Sequence, residues 1–141
     1  HYVTNLRNLA KKYNVLGKMV FLPFLDDLPA AYMLADVVVA PSLKPEPFGR
    51  VIIEAQAMGR PVISFDHGGA SESIKNNITG LLVEPKNEKE LGNAIEKLIN
   101  MTEIQRNNMA NSSRKHIVNK FSLDKMNRET IKLYSEVLKI K

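Results

Sequence analysis

Three short runs in this chain are apolar along their whole length: Asp36-Val37-Val38-Val39-Ala40, Pro61-Val62-Ile63-Ser64-Phe65 and Gly80-Leu81-Leu82-Val83. A strand with one face in water alternates apolar and polar residues, whereas a strand covered on both faces does not. A fourth run, Met19-Val20-Phe21-Leu22, has the same character and ends at Pro23. Helical spacing fills the intervals. It covers Tyr2 to Tyr13, Asp26 to Ala35 with Pro29 near its start, and Phe48 to Met58 with Gly59 as a stop signal. Three helices finish the chain. Asn87 with Glu90, and Thr102 with Gln105, match the capping-box pattern. Ser122 caps the last helix, whose stripe Leu123, Met126, Leu133, Val137 and Leu138 is expected to be buried. Helices alternating with doubly covered strands predict an α/β fold, a Rossmann-like parallel sheet with helices on both faces.

The length of 141 residues fits one domain, residues 1–141. The first residue is His, so the chain reads as an internal piece of a longer protein. With no cysteine, disulfides, thiolate zinc sites and cysteine nucleophiles are excluded, and a cytoplasmic setting fits. The three histidines, His1, His67 and His116, lack metal-ligand spacing. No apolar run approaches the roughly 20 residues that cross a bilayer. The net charge of +5 lies entirely in residues 114–141, with eight basic and three acidic residues. No aromatic interleaving or nucleic-acid motif accompanies it, so this segment reads as the solvated face of a terminal helix and no nucleic-acid partner is expected.

In a parallel sheet ligands bind outside the carboxyl ends of the strands. Pro41 to Gly49, Asp66 to Glu72 and the turn after Leu22 should lie there. Pro45 and Pro47 flank Glu46, and each disfavours helix in the residue before it, so Glu46 sits in an extended loop. The helix beginning near Phe48 and Gly49 presents unpaired N–H groups, an anion site suited to a phosphate. Gly49 leaves room for a ligand to approach the backbone. Glu46 and Glu54 are eight residues apart, roughly 12 Å along a helix axis. Carboxylates that act together on one glycosidic bond sit about 5–9.5 Å apart. The spacing therefore favours two carboxylates that grip separate hydroxyl-bearing parts of an extended ligand, with a phosphate between them: a nucleotide sugar.

The stretch Glu46-Pro47-Phe48-Gly49 through Glu54-Ala55, Ala57, Gly59 and Pro61-Val62 resembles the signature of the group 1, or family 4, retaining glycosyltransferases of GT-B fold. The resemblance continues in Val20-Phe21-Leu22, Ala35-Asp36, Pro41-Ser42, Gly68-Gly69 with Glu72, Gly80-Leu81-Leu82-Val83 and Phe121-Ser122. It implies part of the C-terminal, donor-binding domain of such an enzyme. In that role Glu46 is catalytic and binds donor-sugar hydroxyls, and Glu54 binds the ribose. The backbone of Phe48, Gly49, Arg50 and Val51 meets the sugar or diphosphate, and Gly68 and Gly69 face the cleft. The residues leave other roles open. Arg50 either meets phosphate or points away; His67 and Lys44 either line the cleft or are solvated; Glu72 reads as a structural carboxylate and His116 as packing.

The resemblance implies a nucleotide-diphosphate sugar as co-substrate, no metal or other cofactor, and transfer with retention. It implies an acceptor bound by an N-terminal domain outside this chain and, by analogy, a role in surface-polysaccharide or lipopolysaccharide synthesis with peripheral membrane contact at the inner face. An Arg and a Lys that neutralise the diphosphate in the family have no match here, and Arg7 and Lys11 are not assigned to that role. This chain alone is therefore expected to be inactive. Its first strand, separated from the second by absent strands, is expected to leave edges that favour self-association or to move directly beside the second. The alternatives are a GT-B-related nucleotide-sugar epimerase or phosphorylase, or a non-catalytic nucleotide-sugar- or protein-binding module.

Overall fold

The computed structural model describes residues 1–139. Helix α1 spans Tyr2–Lys12 and is followed by a 3-10 turn at Leu16–Lys18. Helix α2, Leu28–Leu34, begins where the Asp27 side chain accepts the Ala30 N–H at 3.0 Å. Then come β1 (Val38–Ala40), α3 (Arg50–Ala57), β2 (Val62–Phe65), α4 (Gly69–Ser73), β3 (Leu81–Val83), α5 (Glu88–Ile99), α6 (Glu103–Phe121) and α7 (Leu123–Leu138). The three strands pair in parallel in the order β1-β2-β3, with Val38 opposite Val62 and Ile63 opposite Leu81.

The absence of alternation has the expected cause. All four residues of β2 are buried, and successive side chains enter different cores. Val62 joins Ile52, Ala55, Ala70 and Ile74 on the α3–α4 face. Ile63 and Phe65 join Leu81, Val83, Ala94, Leu98 and Met109 on the α5–α6 face. Ser64, the polar residue in this strand, satisfies its hydroxyl on the Ala40 carbonyl at 3.0 Å. The result is an α/β/α sandwich whose two cores meet at β2. Truncating a fully buried residue such as Leu98 to alanine costs about 2–5 kcal/mol in such a setting.

Three expectations need correction. Met19–Leu22 is not a strand and does not lie beside β1, whose partner is β2. A strand exists only through its ladder, and among the described residues no strand pairs with these. Val20 is 82% and Leu22 64% exposed, and Phe21 instead lies beneath the Arg7 guanidinium, 4.4 Å from its ring centroid. The stripe on α7 is likewise not buried: Leu123, Met126, Leu133, Val137 and Leu138 are all exposed, and so are Ile131 and Tyr134. The amphipathic pattern is present, but nothing among the described residues covers it. Finally, the α5 box is half formed. Asn87 caps Glu90 N–H at 3.0 Å, while the Glu90 carboxylate accepts from Glu84 N–H instead of returning to Asn87. The α6 box formed by Thr102 and Gln105 is complete.

Backbone amides that lack a ladder exchange with solvent far faster than those in a buried strand. Amides of Val20, Phe21 and Leu22 should exchange at least about 100-fold faster than those of Ile63 and Ser64. Hydrogen exchange followed by NMR checks this; comparable protection would mean that residues 19–22 are paired in solution.

Candidate functional site

The site is built on two parallel neighbours. Because β1 and β2 run the same way, Pro41–Gly49 and Asp66–Gly69 leave the sheet side by side at its carboxyl edge. The expected third segment, the turn after Leu22, is not drawn in; Leu22 and Phe24 stand exposed. The two loops are joined by backbone. Gly69 N–H donates to the Glu46 carbonyl at 2.8 Å, and His67 Nε2 donates to the Ser42 carbonyl at 2.9 Å, which places its proton on Nε2. Gly68 and Gly69 lie on the loop expected to face the cleft, and their contacts give them a structural task there. A Cβ on Gly68 would lie 2.5 Å from the Glu46 carbonyl oxygen, and one on Gly69 would lie 2.7 Å from the Phe48 oxygen. The glycine pair is the seat on which the Glu46 loop rests, and Gly69 is buried beneath it.

Seated in this way, Glu46 is exposed and its Oε1 accepts from the Ser42 hydroxyl. Phe48 leans on Phe121 at the end of α6, with ring centroids 5.9 Å apart. Gly49 then turns the chain into α3 with a left-handed φ of +75°. No side chain caps α3. Its first N–H groups, at Arg50 and Val51, therefore face the loop side, where anionic groups are favoured.

Glu54 lies one turn into α3 and is held from two sides. Tyr32 Oη donates to Oε2 at 3.1 Å. Arg50 Nε and Nη2 approach Oε1 at 3.3 and 3.1 Å. Arg50 thus turns back along its helix, with 82% of its side chain exposed. Such an i,i+4 pair is worth only about 0.3–0.5 kcal/mol, so the guanidinium is easily released. Burial pushes the Tyr32 phenol above its ordinary value; the hydrogen bond to Glu54 and the carboxylate charge act in the same direction, and Arg50 opposes them.

Lys44 stays on the Glu46 loop with an exposed side chain, while other candidates separate from the site. Glu72 is exposed, and its carbonyl accepts from Lys120 at 3.0 Å. His116 stacks edge-on to Phe121, and burial followed by the charges of Lys75 and Lys120 lowers its pKa. Ser42 and Tyr32, which orient the two glutamates, have no role that the sequence alone assigns: Ser42 follows a strand end and Tyr32 lies in a short helix. A phenol one turn before a strand, whose tip needs a polar partner, was the available signal.

Residues 1–116 match the family model described as glycosyl transferases group 1. An uncharacterized glycosyltransferase, MJ1607 of Methanocaldococcus jannaschii, is 37% identical over 131 residues, 92% of this chain and 33% of that protein. The chain belongs to the group 1 glycosyltransferases. The fold agrees. A glycosyltransferase from Rickettsia africae superposes with a TM-score of 0.94 at 33% identity, over 99% of this chain and 37% of that one. Anabaena HepE in complex with UDP-glucose gives 0.89 at 30% identity, over 96% and 37%. The α/β sandwich therefore matches the GT-B glycosyltransferases. The chain spans about a third of the length of the curated relatives it matches. Among the described residues no helix is long and apolar enough to cross a membrane.

Gly69→Ala places a methyl group against Phe48 backbone, which cannot yield as a flexible side chain would. The substitution should destabilise the chain by about 1–3 kcal/mol, through overpacking and displacement of the Glu46 loop. Gly92→Ala, where a Cβ meets nothing within 4 Å, is the control and should be neutral or stabilising. Thermal melts of both variants decide; equal stability would refute the seating role.

Proposed function

We propose that this chain supplies the donor side of a retaining glycosyl transfer from a nucleotide-diphosphate sugar. The observation that carries the reading is the uncapped start of α3, flanked by two carboxylates oriented by separate partners. A diphosphate placed against the Arg50 and Val51 N–H groups would have Glu46 on one side and Glu54 on the other. Glu46 then accepts from sugar hydroxyls at the reacting end, and Glu54 from ribose hydroxyls. Arg50, held to Glu54 by a weak pair, is free to swing to the diphosphate when ribose takes its place. Gly68 and Gly69 hold the Glu46 loop at the right depth behind the sugar.

In the transfer, the bond from the anomeric carbon to the diphosphate oxygen breaks. A bond to the acceptor oxygen forms on the same face, and the acceptor hydroxyl's proton passes to the departing diphosphate oxygen. The helix N-terminus stabilises the charge growing on the leaving diphosphate. The reading uses no metal. The acceptor is held by a domain outside this chain, and by analogy it is a precursor of a surface polysaccharide or lipopolysaccharide, met in the cytoplasm at the inner membrane face. The unpaired segment 19–22 and the bare face of α7 favour self-association when the chain stands alone.

Hydrogen bonds to charged groups are worth about 1.5–3 kcal/mol, so their loss is read as a tenfold or larger effect. Glu54→Gln should weaken UDP binding by at least about tenfold. Glu46→Gln should leave UDP binding intact and depress turnover of the nucleotide sugar in the full-length protein. Calorimetric titration and single-turnover assays check this, and unchanged constants in both variants would refute the assignment. Without the acceptor domain, positioning worth several kcal/mol is missing. The 141-residue chain should therefore bind nucleotide diphosphate weakly, lose that binding as salt rises, and transfer no labelled sugar. Robust transfer by this chain, or NMR shifts that bypass residues 41–54, would overturn the reading.

A further inference from the structure

The two donors on Glu54 are not equivalent. Arg50 comes from the same helix, with an exposed side chain. Tyr32 comes from α2, 22 residues earlier, and its ring packs against the buried cluster of Ile52, Ala55 and Val62. Its hydroxyl is therefore fixed by the core, whereas the guanidinium is fixed by little besides the carboxylate it touches. A carboxylate oxygen can accept two hydrogen bonds. Tyr32 occupies one position on Oε2 and leaves the other open, while Arg50 covers Oε1 with a removable fork.

We propose that Tyr32 is the positioning residue that sets the plane of the Glu54 carboxylate and thereby gives the site its preference for a ribose bearing its hydroxyls. The proposal rests on the assignment of Glu54 to the ribose. Two vicinal hydroxyls need both carboxylate oxygens presented edge-on. A glutamate side chain rotates about three bonds, and 33% of this one is exposed. The phenol prevents that rotation, because turning the carboxylate away from Tyr32 leaves a partly buried hydroxyl without a partner. Tyr32 does not itself need to touch the ligand.

Tyr32→Phe keeps the ring and its packing and removes the hydroxyl alone. The affinities of the chain for UDP and for 2′,3′-dideoxy-UDP are measured in wild type, Tyr32→Phe, Glu54→Gln and the double variant, with melting curves in parallel. Wild type should prefer UDP by about tenfold or more. Tyr32→Phe should reduce that ratio to roughly twofold, leave dideoxy-UDP binding unchanged, and add nothing further in the Glu54→Gln background. If Glu54→Gln erases the preference and Tyr32→Phe retains it, this inference falls and the ribose assignment stands. If Tyr32→Phe weakens both ligands by the same factor, the tyrosine is only structural and the inference falls. If wild type shows no preference or no binding, or Glu54→Gln keeps the preference, the ribose assignment falls and takes the inference with it.

Discussion

The parallel pairing of β1 with β2 is the constraint on which the rest of the molecule depends. With Val38 opposite Val62 and Ala40 opposite Ser64, the two strands end level, and the chain leaves both at one edge. Parallel neighbours cannot be joined by a hairpin, so the link between them must cross a face of the sheet, and α3 is that crossover. The loop before α3 and the loop after β2 are therefore forced together. The meeting is backbone to backbone, through Gly69 N–H and the Glu46 carbonyl, and it is possible because residues 68 and 69 carry no Cβ. The depth of Glu46 in the cleft is a consequence of strand register and two missing methyl groups.

Much of this was legible in the sequence because it is local. Unbroken apolar runs identified β1, β2 and β3, and the caps at Asn87, Thr102 and Ser122 each accept the N–H three residues on. Short-range rules fail where an element needs a partner from elsewhere. Met19–Leu22 has the composition of a strand and no ladder. The apolar stripe of α7 has the right spacing and no cover. In both cases the residues report what they can pair with, and the described residues do not contain it. The site divides in the same way. Glu46 and Glu54 stood out by spacing and context, and the fold brings their loops and helix to one edge. Ser42 and Tyr32 could not be assigned, because the bond from Tyr32 to Glu54 spans 22 residues and depends on how α2 lies against α3. The seating role of Gly68 and Gly69 was hidden for a similar reason: a glycine pair signals close approach without saying what approaches.

The electrostatics of the site follow from unequal anchoring. Glu46 is held by a neighbouring hydroxyl in an exposed loop, an arrangement that costs little to rearrange. Glu54 is held on one side by a core-anchored phenol and on the other by a solvated guanidinium. An anion arriving at the start of α3 competes with Glu54 for Arg50, and a diol arriving at Glu54 competes with Arg50 for the carboxylate. The two events favour one another, since each frees what the other needs. A ligand carrying both a phosphate and a diol gains from this exchange in a way that neither group alone can.

Helix starts in this chain are of two kinds. Side chains of Asp27, Asn87, Thr102 and Ser122 cap α2, α5, α6 and α7, while α1 and α4 begin without such a cap. Helix α3 begins at Gly49 with none. Replacing a capping side chain with glycine costs a helix only a few tenths of a kcal/mol, far less than replacing it with alanine, so the omission barely weakens the fold. Its effect on the site is larger. A serine or aspartate at position 49 would compete for the Val51 N–H and, in the case of aspartate, set a negative charge beside it; the Ile52 N–H is already taken by the Gly49 carbonyl at 3.0 Å. Glycine leaves the N–H groups of Arg50 and Val51 open, and its φ of +75° turns the chain from the loop into α3. One residue thus serves the turn and the open donors, and a side chain there would compromise both, since its Cβ would also lie 3.0 Å from Ile52 Cδ1.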